Sequence, residues 1–294
     1  MHGSLQFAPS PQPSPHRGPG GEREFTSWEA RPMSTEPVLK ISTLAHVRLL
    51  TMNRPDRRNA LSRELKNALA HAIIEADVDP GVSVVALTGA GTSFCAGADL
   101  KDARAMDESG GKARYRGPLH EIERSLFEVM IDSRKPLLAI LNGPAVAGGC
   151  ELALSCDLRV AADTSFLQLP EAKRGMGAHM ASVMLPQMVP PAIAMEWLYT
   201  GRKISLEECE RWGLVNRVVP ASKVMEAGLE LAADIASSAP LSLQRMKLTF
   251  RKAWGQPLHA AVRLDLGPDV YASEDRKEGA RAFLERRPAK WQGK

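Results

Sequence analysis

Two apolar segments, each leading into a glycine-rich turn, constrain the fold of this chain more than any other feature. Residues 82–87 precede the loop 89–101, and residues 137–141 precede Gly148-Gly149. A short, nearly unbroken apolar run is typical of a strand that is buried on both faces, as in a parallel sheet. Helical periodicity lies between these runs, and the alternation of strand and helix predicts an α/β fold.

Helix signals place the remaining elements around those strands. Ser62 is an expected N-cap for a helix that ends at Asp79-Pro80-Gly81, and Ser205 with Glu208 forms a capping-box pattern. Further helices are predicted at about 119–131, 148–155, 192–198, 221–237, 241–254 and 273–287, and further strands at 38–41, 47–52, 158–161 and 213–219.

Two glutamates stand beside glycine-rich or proline-containing turns and are candidates for acid–base chemistry. Glu151 lies within the apolar run 147–154, and Glu171 follows Leu169-Pro170. Burial in such surroundings disfavours the charged form and should raise the pKa of a carboxyl group. A raised pKa suits proton transfer near neutral pH. The neighbouring glycines allow backbone N–H groups to approach a substrate oxygen.

Composition indicates a globular chain and disfavours several other classes. The chain has 294 residues, 44% of them hydrophobic, and a net charge of +4. That charge is too small to indicate a nucleic-acid partner, and no apolar run reaches the length of about 18 residues that a membrane span needs. Four cysteines without a CxxC pair or zinc-ligand spacing predict packing roles, no metal site and a reducing, cytoplasmic location.

The first 33 residues differ in composition from the rest. Prolines at positions 9, 11, 13, 15 and 19 alternate with Ser, Gly and Arg, so the segment has little apolar area to bury. We expect a disordered extension at 1–33, with Met33 as the native start. A genuine flexible tail or a transit peptide is the alternative, although Glu22, Glu24 and Glu29 disfavour a transit peptide.

An ordered set of motifs resembles the enoyl-CoA hydratase/isomerase (crotonase) superfamily from about residue 34 to the end. The matching segments are Asn53-Arg54-Pro55, Asn59-Ala60-Leu61, 94–101, 136–153, 156–161, Pro170-Glu171, 198–201, 207–215 and 273–284. The resemblance implies a crotonase-like α/β spiral of β-β-α turns at 34–225. It also implies a C-terminal helical segment at 226–294 that forms trimers or hexamers, and an acyl-CoA substrate without a separate cofactor.

The resemblance also implies a role for individual residues. The backbone N–H groups of Ala98 and Gly148 match an oxyanion hole that holds the thioester oxygen, and Glu151 and Glu171 match the two catalytic glutamates of hydratases. The segment that binds the acyl-CoA in relatives corresponds here to Ala96, Ala98, Asp99, Leu100 and Lys101, with Arg58 as a further candidate.

The sequence departs from the hydratase pattern after Glu171. Relatives often continue with Gly-x-x-Pro-Gly-x-Gly-Gly, whereas this chain reads Gly-Met-Gly-Ala-His-Met-Ala-Ser at 175–182. His179 is therefore either an additional acid–base group or a structural residue.

The leading hypothesis is an enoyl-CoA hydratase, and the alternatives are a Δ3,Δ2-enoyl-CoA isomerase or another acyl-CoA enolate enzyme such as a hydrolase or decarboxylase. An RNA-binding member of the superfamily, with a basic cluster at Arg281, Arg286, Arg287 and Lys290, is disfavoured.

Overall fold

The computed structural model describes residues 36–99 and 124–294. They lie in one compact unit that runs from Glu36 to Lys294. The predicted extension at 1–33, the candidate residues Leu100 and Lys101, and the first part of the helix predicted at 119–131 lie outside the described residues.

A six-stranded sheet organises the described residues. Its strands are β1 (Leu39–Leu44), β2 (Val47–Met52), β3 (Val84–Gly89), β4 (Leu137–Leu141), β6 (Leu158–Ala162) and β9 (Arg217–Val219), in the spatial order β1-β2-β3-β4-β6-β9. Within this sheet, β1 and β2 pair antiparallel and the other neighbouring strands pair parallel. All six residues of β3 and all five of β4 are buried, which confirms the prediction of a parallel sheet covered on both faces.

A second, smaller sheet connects the segments that carry the candidate residues. It contains β5 (Ala145–Val146), β7 (Leu167–Gln168) and β8 (Lys203–Ile204), with β5 and β7 parallel. Strands of two residues have no detectable periodicity, so the sequence did not predict this sheet. Because β5 and β7 are parallel, their carboxyl ends lie side by side, and each end leads into one of the two glutamate-bearing segments.

Helices cover both faces of the main sheet. They are α1 (Arg63–Val78), α2 (Leu126–Asp132), α3 (Gly148–Ser155), α4 (His179–Met188), α5 (Pro191–Thr200), α6 (Leu206–Arg211), α7 (Val224–Ala236), α8 (Pro240–Ala253), α9 (Leu258–Ala261) and α10 (Glu274–Glu285). Helix α7 packs directly on the sheet. The contact is so close at Gly228 that a Cβ there would lie 2.6 Å from the side chain of Ile140.

The predicted helix starts are confirmed where a capping residue marks them. The Ser62 hydroxyl accepts a hydrogen bond from the Leu65 amide at 3.2 Å, and Ser205 and Glu208 form a reciprocal capping box. Helix α4 was not predicted, since its N-cap residue Ala178 offers no capping side chain. No helix in the parts of the chain that the structure describes is long and apolar enough to cross a membrane.

A buried charge cluster ties helix α8 to the sheet. The Asp157 carboxylate accepts hydrogen bonds from Lys247 at 2.7 Å, from Arg251 at 2.8 Å and from the Leu137 amide at 2.8 Å. Burial raises the pKa of Asp157, but the charges of Lys247 and Arg251 outweigh burial and hold that pKa below its usual value. Stabilisation from a lowered carboxyl pKa is present at neutral pH and is lost as the pH falls through the folded-state value.

We predict that Asp157→Asn lowers the free energy of unfolding by about 3 kcal/mol, because the Lys247 ammonium, whose side chain is 6% exposed, would remain buried without its counter-charge. Chemical denaturation at pH 7 measures the change. The matched control is Glu226→Gln, which removes one carboxylate from an exposed pair with Lys223 and should leave stability unchanged. Equal unfolding free energies for Asp157→Asn and the wild type would contradict the assignment of a stabilising role to this cluster.

Candidate active site

Two asparagines fix the loop that follows β3. The fully buried Asn59 donates from its side-chain amide to the carbonyl of Ala90 at 2.9 Å and of Ser93 at 2.8 Å. Asn142 donates to the Gly91 carbonyl at 2.9 Å and accepts from the Gly89 amide at 3.1 Å. These bonds satisfy backbone groups that a turn leaves unpaired, so they hold the loop in one conformation.

Close backbone contact joins this loop to the start of helix α3. The Cys95 carbonyl accepts a hydrogen bond from the Val146 amide at 2.9 Å. A Cβ at Gly149 would lie 2.2 Å from the Cys95 carbonyl oxygen, and a Cβ at Gly97 would lie 2.7 Å from the Cβ of Ala147. Glycine is therefore required at both positions by the approach of one backbone to the other.

The contact brings two backbone amides close together. Leu61 pairs with the residues on either side of Ala98, so the N–H of Ala98 points away from Leu61. Among the described residues, the N–H groups of Ala98 and Gly148 donate to no protein acceptor. A Cβ built at Gly148 would lie 3.8 Å from the Ala98 nitrogen. The two candidate amides of the sequence analysis are thus brought together.

Backbone strain accompanies this arrangement. Ala147 has φ 54° and ψ −131°, a conformation that a side chain disfavours by roughly 1–3 kcal/mol. The strained residue immediately precedes Gly148, whose N–H is the first of helix α3 and carries the positive end of the helix dipole. Ala147 is itself held by a hydrogen bond from its amide to the Gln168 carbonyl at 2.8 Å, which joins β5 to β7.

A cleft of about 740 Å³ opens beside Ala98 and Ala147, and its lining does not include Gly148, Glu151 or Glu171. The predicted ligand-binding residues Arg58, Ala96, Ala98 and Asp99 line it. Other lining residues are Arg57, Ala60, Thr92, Ser93, Pro144, Val146, Ala147, Phe166, Gln168, Arg174 and Met176. The side chain of Asp99 is 10% exposed and forms an ion pair with Arg54 at 2.8 Å, so part of its role is to hold the loop.

Glu151 is buried on the first turn of helix α3 and is supported by another helix. Its Oε1 accepts a hydrogen bond from the Ala181 amide at 3.0 Å, on the first turn of α4. Burial raises the pKa of Glu151, while the amides of Ala181 and Met180 and the charge of His179 lower it, and the net result is a raised pKa. The structure thus confirms the sequence prediction that burial raises the pKa of this carboxyl group.

Glu171 is buried at the start of the 3₁₀ turn Glu171–Arg174, which follows β7 after Leu169 and Pro170. Its Oε2 accepts no hydrogen bond from the described residues. Burial raises the pKa of Glu171 and the charge of Glu151 raises it further, whereas a hydrogen bond from the residue's own amide and the charge of Arg174 lower it, with a raised pKa as the net result. The two carboxylates therefore interact electrostatically but differ in their hydrogen bonds. Oε1 of Glu151 accepts from a backbone amide of helix α4, whereas Oε2 of Glu171 accepts from none of the described residues.

The cysteines near the site are packing residues. All four are buried and free of disulfides. Burial raises the pKa of the Cys95 thiol to about 12 and raises that of Cys150 well above its usual value. A thiol with such a pKa is a poor nucleophile at neutral pH.

Some residues that shape the site were singled out in the sequence only as motif members, without a role. Three of them, Arg54, Asn59 and Asn142, position the loop that follows β3. The sequence indicated them only through the family motifs that contain them. Gln168 was not singled out, because it lies in a two-residue strand without a pattern. Its side-chain amide donates to the Gly201 carbonyl at 2.9 Å.

Comparison with known proteins agrees with the geometry. Residues 42–294 match the family model described as enoyl-CoA hydratase/isomerase. A Thermus thermophilus protein provisionally named an enoyl-CoA hydratase is 40% identical over 248 residues, which cover 84% of this chain and 97% of the relative. The carnitinyl-CoA dehydratase of Salmonella typhi is 39% identical over 256 residues, which cover 83% of this chain and 94% of the relative.

A solved structure is similarly close. The crystal structure of an enoyl-CoA hydratase from Mycobacterium tuberculosis H37Rv superposes with a TM-score of 0.78 at 35% identity, covering 88% of this chain and 100% of that one. The match extends over both the sheet and the helical C-terminal part. From its fold, its site and these similarities, the chain belongs to the enoyl-CoA hydratase/isomerase family of the crotonase superfamily.

Proposed function

We propose that the protein is an enoyl-CoA hydratase, which adds water reversibly to a trans-2-enoyl-CoA and forms the 3-hydroxyacyl-CoA. The observation that carries this proposal is a pair of buried carboxylates with different environments, near two neighbouring backbone amides that donate to no protein acceptor among the described residues. Addition of water to a double bond needs one group that removes a proton and one that supplies a proton. It also needs donors for the negative charge that forms on the thioester oxygen.

The amides of Ala98 and Gly148 are the donors in this proposal. When hydroxide bonds to the β-carbon, the electron pair of the double bond moves toward the thioester and forms an enolate. Two N–H groups fixed in advance stabilise that oxygen without reorganisation. The strained Ala147 supports the assignment, because strain of this kind is held where a fixed orientation is needed.

The environments of the carboxylates assign their roles. Glu151 accepts backbone hydrogen bonds that oppose the effect of burial on its pKa, so we assign it as the base that takes a proton from water. Glu171 lacks a donor at Oε2 and experiences the charge of Glu151, so we assign it as the protonated acid that gives its own proton to the α-carbon. Neighbouring carboxyl groups whose environments differ in this way are the usual basis for assigning one as the acid and the other as the base.

The cleft supports an acyl-CoA substrate. Arg57, Arg58 and Arg174 line it and are exposed, so they can meet the phosphates of coenzyme A. No separate cofactor or metal is required for the proposed chemistry. Among the described residues, no group of three His, Cys, Asp or Glu side chains is arranged to hold a metal ion.

A carnitinyl-CoA dehydratase is the second candidate, favoured by the 39% identity to the Salmonella enzyme. It would run the same elimination or addition of water on an acyl group that carries a quaternary ammonium. An isomerase needs a proton shuttle but no water, and the retention of two carboxylates favours hydration over it.

We predict that Glu151→Gln and Glu171→Gln each lower kcat for hydration of crotonyl-CoA by at least about 10²-fold, since each removes one proton-transfer group. Loss of the conjugated enoyl absorbance follows the reaction. The control is Glu226→Gln, an exposed carboxylate on α7 that should retain full activity.

The alternatives give different results in the same assay. Activity with carnitinyl-CoA and not with crotonyl-CoA would support the second candidate. Conversion of a 3-enoyl-CoA to the 2-enoyl isomer without hydration would replace the hydratase assignment by an isomerase. Full activity of both glutamine variants would overturn the catalytic role of the two carboxylates.

We predict that Gly148→Ala folds normally but loses about 10²-fold in kcat. The added methyl group makes ordinary contacts, 3.6 Å to the Leu61 side chain and 3.8 Å to the Ala98 nitrogen, yet it enters the space between the two amides. Gly149→Ala is the contrast, since its methyl group would lie 2.2 Å from the Cys95 carbonyl and should destabilise the fold. Thermal unfolding and kcat separate the two effects, and an active Gly148→Ala enzyme would argue against the oxyanion role.

We also propose that the protein is a homotrimer or a dimer of trimers in the cytoplasm. The C-terminal helices expose large apolar side chains, among them Phe250, Leu258, Val262, Phe283 and Leu284, each at least 66% exposed. An apolar surface of this extent is typical of an interface. The four buried, reduced cysteines fit a reducing compartment.

We expect light scattering to give three or six times the protomer mass of 32.0 kDa for the wild type. Leu258→Asp should lower that mass, because a buried carboxylate at an interface lacks a partner. The matched control Ile41→Asp places the same charge at an exposed position on the edge strand β1 and should leave the mass unchanged. A monomeric wild type would overturn the proposal.

A further inference from the structure

Helix α3 carries both kinds of group that the proposed reaction uses. The Gly148 amide is its first N–H, and Glu151 lies on its first turn. The helix has only eight residues, and its N-cap residue Ala147 offers no capping side chain. Because a helix this short is not stable by itself, contacts with the rest of the fold must fix its position.

Arg159 meets the opposite end of this helix. It is the second residue of β6, and it is 5% exposed. Its Nη1 donates to the carbonyl of Cys156, the C-cap residue of α3, at 2.7 Å and to the carbonyl of Ala153 at 3.1 Å. Carbonyls at this end lack the regular helical partner and carry the negative end of the helix dipole, so a guanidinium is a favourable donor to them.

The same side chain joins α3 to the segment before β9. Nε of Arg159 donates to the Leu214 carbonyl, and Nη2 donates to the Asp157 carbonyl at 3.4 Å. The Arg159 backbone is held as well, since its amide donates to Asn216 Oδ1 at 2.8 Å and its carbonyl accepts from the Asn216 amide at 2.9 Å. A guanidinium presents five donors in a planar fork, so one side chain can serve several carbonyls at once.

We propose that Arg159 is a positioning residue for the reaction, which anchors the carboxyl end of α3 and thereby fixes the Gly148 amide and the Glu151 carboxylate at the other end. This inference rests on the proposed function. Arg159 touches no reacting atom in this scheme and acts through the helix. An eight-residue helix is about 12 Å long, so a small change of tilt at the anchored end displaces the groups at the reacting end.

The other contacts of α3 do not replace this anchor. Leu152 and Leu154 are fully buried, but apolar packing is non-directional, whereas hydrogen bonds to the end carbonyls have a preferred direction. The Asp157 carboxylate and its two cationic partners tie α8 to β4. Among the described residues, these side chains donate to no carbonyl of α3.

The expected effect falls on the chemical step rather than on binding. A displacement of about 1 Å in a reacting group can lower the rate by about 10²-fold. The exposed arginines that we assign to coenzyme A, Arg57, Arg58 and Arg174, lie on other segments and keep their positions. Loss of the anchor should therefore lower kcat and leave the dissociation constant of an acyl-CoA unchanged.

The test uses the infrared carbonyl band of bound butyryl-CoA labelled with ¹³C at the thioester carbon, because this saturated thioester cannot be hydrated. Hydrogen bonds from the Ala98 and Gly148 amides should lower its frequency in the wild type. We expect Arg159→Lys and Arg159→Met to lose at least about half of this shift. Their kcat for crotonyl-CoA should fall by roughly 10- to 100-fold, with an unchanged Kd for butyryl-CoA. Lysine keeps a positive charge but lacks the planar fork, so it should not rescue the shift.

Two further variants separate position from stability. Asp157→Asn removes a buried charge two residues from Arg159 and should destabilise the fold, yet it should retain the full carbonyl shift because the carboxylate does not bond to α3. Asn216→Ala changes an exposed residue that holds the Arg159 backbone, and we expect it to fold and to lose part of the shift.

Each outcome decides the inference. A full wild-type shift in either folded Arg159 variant, or in Asn216→Ala if neither of them folds, would overturn it, and so would an equal loss in Asp157→Asn. No shift in the wild type would remove the oxyanion role of the two amides and this inference with it. A wild type that shifts the butyryl-CoA band but does not hydrate crotonyl-CoA would leave the inference in place, and the proposed hydratase function alone would fail.

Discussion

The parallel pairing of two very short strands is the constraint on which the site depends. The Ala147 amide bonds to the Gln168 carbonyl at 2.8 Å, and this contact aligns the carboxyl ends of β5 and β7. One end leads into the turn before Glu151, and the other leads into Glu171. Separate parts of the sequence are thereby placed side by side, and no contact within either segment alone could achieve this.

The same region combines unfavourable features that the rest of the fold must offset. Two carboxylates are buried near each other, one oxygen of Glu171 lacks a hydrogen-bond donor, and Ala147 has a positive φ. Each of these features costs free energy. The closely packed backbone of the loop at 89–98 and helix α3, together with the fully buried strands β3 and β4, provides the rigidity that keeps them in place. Their concentration around the junction of β5, β7 and helix α3 is what a preformed site for charge development requires.

Local signals in the sequence were sufficient for elements that carry their own periodicity or caps. The apolar runs of β3 and β4 and the capping serines Ser62 and Ser205 predicted their elements, because burial and capping act over a few residues. Helix α4 escaped prediction, since its cap comes from Glu151, about 30 residues earlier. The ordered motifs indicated the family, because they combine signals that are weak individually.

The sequence by itself determined the α/β class, the superfamily and the identity of the candidate residues, since these follow from periodicity, residue type and order along the chain. Only the tertiary structure decided how the two carboxylates differ. Glu151 meets the amides of α4 and the charge of His179, whereas Glu171 meets the charge of Glu151 and lacks a donor at one oxygen. Electrostatic environment depends on distances between segments that are remote in the chain, and no local pattern records those distances.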